Sequence, residues 1–271
     1  MASKPIPSRS TRSGGLSPAV AKALEGELIK ALGHEEIVVL FQPQFSCRDG
    51  AILGAEALAR WQHPTLGTIG ARDLFAIAEG AGLVAPISRH VVAQALVQAA
   101  QWPKHLRLAL NVTPEEIAEP SFSRAFASLV GRSKMAPDRL TMEITEDVLL
   151  GDLGLAAEAL AVLKQSGMRV ALDDFGAGFC NFHYLKQLPL DAIKLDRTMV
   201  VGICRDERDL AVLRAIVQLA AALGLEVVAE GIETEAQRDA VIAEGCAYWQ
   251  GFLQAEPMRN DEMLRMVAKA A

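Results

Sequence analysis

Short apolar segments alternate with amphipathic helical segments along most of the chain. Eight of the apolar segments have the length and composition of β-strands, and they lie at residues 37–45, 52–61, 107–112, 140–144, 170–173, 192–195, 227–229 and 246–251. Between and around them, apolar residues at helical spacing predict helices, at residues 18–32, 73–79, 87–101, 121–131, 155–166, 182–187, 206–223, 235–243 and 261–268.

Regular alternation of strands and helices is typical of an α/β fold, in which a parallel sheet is covered by helices. Eight strands favour a closed barrel over an open sheet. The first two strands are joined by the six residues SCRDGA at 46–51. A parallel crossover needs a dozen or more residues, so the first two strands are expected to form an antiparallel hairpin.

Composition narrows the class of protein. The 271 residues suit one barrel, and with 51% apolar but only 5% aromatic residues the core must be aliphatic. The net charge of -6 argues against binding to nucleic acid polymers or to anionic membrane surfaces. No apolar run reaches the ~18 residues of a membrane-inserted segment, so no membrane insertion is predicted.

The four cysteines form no CxxC pair, which favours free thiols and a cytoplasmic location, also for a cytoplasmic portion of a longer protein. Residues 1–17 are rich in Ser, Pro, Arg and Gly and are predicted to be a disordered tail or linker. They could equally be the trace of a cut from a longer chain. Residues 18–271 are predicted to form a single domain.

Polar side chains cluster at the downstream ends of the predicted strands. They are Glu56, Asn111, Glu143, Asp173, Asp174, Lys194 and Glu230. In a parallel barrel these ends share one face, and active sites are built there. Several carboxylates cannot crowd one face unless cations neutralise them. The pattern therefore predicts a divalent-metal enzyme.

Each of these residues also has a simpler interpretation. Asp173 and Asp174 could grip one or two cations, or one of them could cap the next helix. Glu143 lies in an apolar strand, where burial without a partner is costly, which favours a metal ligand. Asn111 suits a neutral oxygen ligand, but it also suits a turn before Thr-Pro.

The segment from Glu56 to Arg60 places an acid, an apolar residue and a base on one face of a strand, with Leu58 between them. This arrangement suits a metal ligand beside a phosphate clamp, or a buried Glu–Arg pair. Lys194, inside a barrel strand, must meet carboxylates or a ligand anion. Glu230 could ligate metal or accept a proton from water.

Two chemistries fit these residues. One is hydrolysis of a phosphate ester with two Mg²⁺ or Mn²⁺ ions, in which a carboxylate bridges the ions. The other is metal-assisted proton abstraction of the enolase type, with a lysine as base. The second needs about three acids for one ion, and this chain offers five, so the surplus favours two metals.

Eight ordered motifs resemble the bacterial EAL domain family over residues 25–265. They are FQP at 41–43, EAL at 56–58 within ExLxR and before WQHP, NVT at 111–113, EITE at 143–146, DDFGAGF at 173–179, IKLD at 193–196, AEGIE at 229–233 and QGF at 250–252. The resemblance implies a modified TIM (β/α)8 barrel with an antiparallel first strand. It also implies hydrolysis of cyclic di-GMP to linear pGpG, with two Mg²⁺ or Mn²⁺ ions and inhibition by Ca²⁺.

The resemblance also implies roles for individual residues. The ligands of the first metal are expected to be Glu56, Asn111, Glu143 and Asp173, and those of the second metal Asp173, Asp174 and Glu230. Lys194 orients the attacking water and Glu230 is the general base. Substrate contacts are expected from Gln42, Leu58, Arg60, Asp174, Glu233 and Gln250. Glu146 is expected to anchor the loop after Asp174, which lies near the usual dimer contact.

The family further implies a homodimer and an upstream sensory or GGDEF domain. The common family loop reads DFGTGYSSL, whereas this chain has DFGAGFCNF. The departures at Ala177, Phe179, Cys180 and Asn181 are expected to alter loop dynamics or dimer coupling. A catalytically weak cyclic di-GMP receptor is the alternative function, but the intact ligand positions favour an enzyme.

Overall fold

The protein forms a closed eight-stranded barrel surrounded by helices. The structure is a computed structural model, and it describes residues 16–178 and 182–270. The strands within these residues are β1 Ile37–Ser46, β2 Ile52–His63, β3 Gly67–Ile69, β4 Arg107–Val112, β5 Leu140–Thr145, β6 Arg169–Phe175, β7 Ala192–Leu195, β8 Glu226–Ala229 and β9 Tyr248–Trp249.

The α-helices surround the barrel and follow most of its strands. They are α1 Pro18–Ala31, α2 Ala71–Gly80, α3 Val84–Ala99, α4 Pro114–Ala118, α5 Phe122–Ser133, α6 Leu153–Gln165, α7 Phe182–Gln187, α8 Glu207–Ala222, α9 Glu235–Ala243 and α10 Asn260–Ala270. Helices α4 and α9 each begin with a capping box. In these, the Thr113 and Thr234 side chains accept hydrogen bonds from the backbone N–H groups three residues further along the chain. No α-helix of the described segments has the length and apolarity needed to cross a membrane.

The strand order is β1-β9-β8-β7-β6-β5-β4-β2, and pairing of β1 with β2 closes the barrel. β1 runs antiparallel to both of its neighbours, whereas β2 and β4 to β9 run parallel to one another. β3 lies outside the closed barrel and pairs only with β2. The predicted modified barrel with an antiparallel first strand is confirmed.

Alternation along the strands separates an apolar layer from a polar barrel interior. Leu140, Met142 and Ile144 of β5 are buried in the hydrophobic core, whereas Thr141 and Glu143 line a small cavity of about 40 Å³ inside the barrel. The same alternation holds along β6 and β7, because side chains two residues apart share a face of a strand. The helices cover the apolar face of each strand. The carboxylates lie on the opposite face and therefore point into the barrel interior.

The register sets these polar side chains at one level of the barrel. Asn111 of β4 is the partner of Glu143 of β5, and Gln42 of β1 lies opposite Glu56 of β2. Asp173 of β6 pairs with Thr145, two residues beyond Glu143. The downstream strand ends therefore present their acids at one opening of the barrel.

Three features of the fold differ from the predicted elements. The three-residue strand β3 and the five-residue helix α4 were not predicted, because such short segments show no measurable periodicity. The last strand is limited to two residues, rather than 246–251, since regular pairing with β1 and β8 ends at Trp249. Residues 1–15, where most of the predicted tail lies, and the departures at 179–181 lie outside the described residues, and the domain division stays a prediction.

Candidate functional site

One buried lysine lies among four carboxylates at the downstream opening of the barrel. The Lys194 Nζ is 2.7 Å from Glu230 Oε1, 2.9 Å from Glu143 Oε2, 3.0 Å from Asp173 Oδ1 and 3.3 Å from Glu56 Oε2. Its side chain is only 1% exposed. We call these five residues the site cluster. Strands β2, β5, β6 and β7 and the end of β8 contribute one residue each.

The site cluster has more negative charge than its one amine can balance. Burial opposes the charge on Lys194, but the attraction of the four carboxylates is stronger and holds the pKa of the lysine well above its usual value. Burial, together with repulsion by Glu56 and Asp173, raises the pKa of Glu143 well above its ordinary range despite Lys194. Burial also raises the pKa of Asp173. Without a further cation, full ionisation of this cluster is therefore unfavourable.

Glu56 is the exception, because the charge of Lys194 and two amide hydrogen bonds together favour its ionised form. Burial would raise its pKa, but attraction to Lys194 and hydrogen bonds from Gln250 and Asn111 lower it. Gln250 Nε2 donates to Glu56 Oε2 at 2.8 Å, and Asn111 Nδ2 donates to Glu56 Oε1 at 2.9 Å. Gln250 also donates to Glu230 Oε1 at 2.9 Å, so one amide joins two acids of the cluster.

Glu230 and Asp174 have strongly raised pKa values at the rim of the cluster. Burial, with repulsion by Asp173 and Glu56, exceeds the attraction of Lys194 and raises the pKa of Glu230 to about 8. Asp174 is exposed as a residue, but partial desolvation of its carboxyl group and repulsion by Asp173 raise its pKa to about 6. Both acids therefore change protonation state near neutral pH in the metal-free protein.

The oxygens of these acids fit two divalent cations. Glu56, Glu143 and Asp173 can direct one oxygen each toward a common point, and so can Asp173, Asp174 and Glu230, with oxygens within 4.8 Å of one another in each group. Asp173 belongs to both groups. Glu143 Oε2 is buried and, among the described residues, receives no hydrogen bond of acceptable geometry, although it forms an ion pair with Lys194. An unsatisfied carboxylate oxygen among hard oxygen donors is suited to Mg²⁺ or Mn²⁺.

Glu146 contacts the loop that follows Asp174. The backbone of Gly176 donates to the Glu146 carboxylate, whose Oε2 would lie 3.1 Å from a Cβ placed at residue 178. Asp174 has a left-handed backbone, with φ of 55°, and so does Gly176, with φ of 98°. Aspartate tolerates that conformation, whereas a Cβ at 176 would also lie 2.6 Å from Met199.

The remaining predicted substrate contacts lie around the cluster. Gln42 is buried directly across from Glu56, while Leu58 and Arg60 are half-buried further along the same face of β2. Burial lowers the pKa of the Arg60 guanidinium, partly offset by Glu56. Glu233 lies outside the cluster and forms an ion pair of 3.0 Å with Arg197.

One residue of the site was missed in the sequence. Gln44 Nε2 donates to Gln250 Oε1 at 3.1 Å. The signal that could have found it is its position two residues after Gln42, which places both side chains on the inward face of β1. It was missed because Gln44 follows the FQP motif at 41–43 and carries no charge that would mark it as part of a site.

A family model supports the identity that the motifs indicated. The model described as the EAL domain matches residues 25–257. The chain belongs to the EAL domain family. Among curated relatives of this EAL domain, a cyclic di-GMP phosphodiesterase of Pseudomonas aeruginosa, PA2567, is 36% identical over 87% of this chain and 41% of its own length. An uncharacterized signaling protein of Caulobacter vibrioides is 37% identical over 89% of this chain and 30% of its own length.

Solved structures show the same fold. The phosphodiesterase domain of MucR from Pseudomonas aeruginosa, solved with cyclic di-GMP, is 32% identical with a TM-score of 0.85, over 89% of this chain and all of that one. The EAL enzyme Bd1971, solved with cAMP and cyclic di-GMP, is 26% identical with a TM-score of 0.87, over 93% of this chain and 70% of that one. This EAL domain spans well under half the length of the first curated relatives.

Proposed function

We propose that this EAL domain is a metal-dependent phosphodiesterase that hydrolyses cyclic di-GMP to linear pGpG. The observation that carries the proposal is the excess of carboxylates over cations in the site cluster, arranged as two groups that share Asp173. The substrate is supported by the names of PA2567 and of the MucR complex. The surplus of acids also favours hydrolysis over proton abstraction of the enolase type.

Two cations are assigned to the two groups of acids. One falls to Glu56, Glu143 and Asp173 together with Asn111, whose amide can turn to present its oxygen. The other falls to Asp173, Asp174 and Glu230. When bound, Mg²⁺ or Mn²⁺ would lower the pKa of water and neutralise charge on the phosphate. Ca²⁺, which prefers more ligands at longer distances, is expected to inhibit.

The chain's own residues order the site and move the proton. Lys194 forms ion pairs with four carboxylates at once, and we assign to it the orientation of the attacking water. Lys194 and Gln250 both contact Oε1 of Glu230, so we assign proton acceptance to Oε2. A bound cation would favour the ionised form of Glu230, which is the form that accepts a proton.

The substrate is assigned to the residues around the cluster. The Arg60 guanidinium lies on the same face of β2 as Glu56 and is suited to a phosphate oxygen. Gln42, Leu58, Asp174, Glu233 and Gln250 complete the proposed contacts. Glu146 is proposed to anchor the loop after Asp174 through the Gly176 backbone. The homodimer, the upstream sensory or GGDEF domain and the cytoplasmic location stay predictions.

The test is turnover of cyclic di-GMP by the purified chain, resolved by chromatography, with Mg²⁺, Mn²⁺, Ca²⁺ or EDTA. We expect pGpG with Mg²⁺ or Mn²⁺ and no product with Ca²⁺ or EDTA. Tight binding without turnover under all four conditions would contradict the proposal and indicate a receptor. If the chain neither binds nor hydrolyses cyclic di-GMP, metal-assisted proton abstraction becomes the better explanation of the clustered acids.

A further inference from the structure

We propose that Gln44 is a positioning residue that fixes the amide orientation of Gln250 and, through it, two carboxylates of the site cluster. Gln44 lies on β1, outside the two groups of candidate metal ligands. Its effect on catalysis rests on the proposed function, whereas its effect on cation binding can be measured separately.

The hydrogen bonds form a directed chain. Gln44 Nε2 donates to Gln250 Oε1 at 3.1 Å, and Gln250 Nε2 donates to Glu56 Oε2 at 2.8 Å and to Glu230 Oε1 at 2.9 Å. Glu56 favours its ionised form, and an ionised carboxylate only accepts hydrogen bonds. The Gln250 nitrogen must therefore face Glu56 and Glu230, and its oxygen must face a donor on the opposite side, which is Gln44.

The orientation of Gln250 needs such a donor because the two ends of an amide have nearly the same shape. Turning the amide by half a rotation exchanges oxygen and nitrogen at little steric cost. In the turned state the oxygen would face two carboxylates and both would lose a donor. Gln44 stabilises the useful orientation through its own nitrogen, which faces Gln250 Oε1 in this structure and needs an acceptor there.

The local structure of β1 directs Gln44 toward this contact. Gln44 lies opposite Gly54 of β2, and the register between the two strands shifts immediately after Gln44. Such bulges redirect side chains near active sites. Gly54 lets β2 approach β4 closely beside this register shift, because a Cβ there would lie 2.3 Å from the carbonyl oxygen of Arg107.

Gln250 connects the two candidate metal groups, so its orientation affects both. Glu56 belongs to one group and Glu230 to the other. Each oxygen that Gln250 contacts is also an ion-pair partner of Lys194. Loss of the Gln250 donor would leave Glu56 Oε2 and Glu230 Oε1 to Lys194, while Asn111 still donates to the other oxygen of Glu56.

The experiment compares Mn²⁺ affinity in three variants, measured by calorimetry at pH 8. Gln44→Lys keeps a donor toward Gln250, Gln44→Met removes it, and Gln44→Glu replaces it with an acceptor. We expect roughly 10–100-fold weaker Mn²⁺ binding in Gln44→Glu, as for other residues that orient metal ligands, a smaller loss in Gln44→Met, and the affinity closest to wild type in Gln44→Lys.

A purely electrostatic role gives the opposite order, because an added negative charge attracts Mn²⁺ and an added positive charge repels it. Tighter binding in Gln44→Glu than in Gln44→Lys would overturn the proposal. Gln165→Glu is the matched control, since Gln165 is exposed on the outer helix α6. If Gln44→Glu does not fold, the order of Gln44→Lys and Gln44→Met decides, and weaker binding in Gln44→Lys overturns the proposal.

Turnover of cyclic di-GMP separates this proposal from the proposed function. We expect kcat to follow the same order as the Mn²⁺ affinity. A wild-type chain that binds Mn²⁺ without turnover contradicts the phosphodiesterase, and the order of affinities still tests Gln44. A wild-type chain that binds no Mn²⁺ overturns both.

Discussion

Two polar clusters lie inside the same barrel, and they differ in charge balance. The site cluster has four carboxylates for one lysine. Toward the other end, Arg107, Arg169, Glu226 and Tyr248 line the interior cavity, and we call them the base cluster. There the Arg169 guanidinium forms an ion pair with Glu226, and the Tyr248 hydroxyl donates to Glu226 Oε1 at 3.0 Å.

The comparison shows how to separate a structural polar cluster from a functional one within one fold. In the base cluster, one acid shares the cavity with two guanidinium groups and pairs with that of Arg169, so the chain itself supplies the counter-charge. In the site cluster, the acids outnumber the amine, and Glu143 Oε2 has an ion pair with Lys194 but no hydrogen bond of good geometry from the residues that the structure describes. Buried charge without a partner is costly, so the imbalance is most simply explained by cations that bind there.

The largest expected effect is loss of activity in Glu56→Ala. This change removes a candidate ligand and the acceptor shared by Gln250 and Asn111. Turnover of cyclic di-GMP with Mg²⁺ is expected to fall below detection in a chain that still folds. Glu226→Gln, in the base cluster, serves as the comparison and should keep most of its turnover. Substantial Mg²⁺-dependent activity in Glu56→Ala would contradict the assignment.

The next effect is a fall in the stability of the metal-free protein as the pH rises. The pKa of Glu230 is raised from 4.5 to about 8 and that of Asp174 from 3.8 to about 6. At a pH between the ordinary and the raised pKa of each acid, the folded state keeps a proton that the unfolded chain has released. The free energy of unfolding therefore decreases as the pH rises. Melting temperatures in EDTA should therefore fall between pH 5 and pH 8.

Two controls sharpen this measurement. Mg²⁺ or Mn²⁺ should flatten the pH dependence, because a bound cation replaces the retained protons. Glu230→Gln should remove much of the slope in EDTA, since the amide does not titrate. A melting temperature of the metal-free wild type that rises from pH 5 to pH 8 would show that the site cluster is not destabilised by its own charge.

A smaller change in stability is expected for Glu143→Gln. Its sign is opposite to the loss of stability that most substitutions of buried residues cause. Removal of one buried acid with a raised pKa should stabilise the metal-free protein at pH 8 while turnover is lost. Each 1 kcal/mol gained would raise the melting temperature by about 2–4 °C in a domain of this size. Thermal unfolding in EDTA measures it, and an unchanged or lowered melting temperature would count against excess repulsion in the site cluster.

The smallest effect is expected in the base cluster. Glu226→Gln removes the charge partner of Arg169 and should lower stability by about 1 kcal/mol, as for a partly exposed ion pair. The loss should be the same with EDTA and with Mn²⁺, because this cluster has no assigned cation. A loss that depends on Mn²⁺ would show that the two clusters are coupled through the barrel.

Much of the fold was predictable because it depends on local patterns. The eight barrel strands follow from short apolar runs, and the antiparallel start of the barrel follows from the six-residue link at 46–51. Short elements such as β3 and α4 were not predictable, since three to five residues give no period. The meeting of Glu56, Glu143 and Asp173 was anticipated, because the downstream ends of parallel strands share one face.

The sequence by itself determined the family, the barrel and the residues that bring charge to its opening, because strand periodicity and ordered motifs are written locally along the chain. Only the tertiary structure decided that Lys194 contacts four acids at once, that Glu143 keeps an unsatisfied oxygen, and that Gln44 reaches Gln250. These contacts join residues up to 206 positions apart. The distances between these side chains depend on how the strands pair around the closed barrel. Patterns among residues that are close in the sequence do not determine such distances.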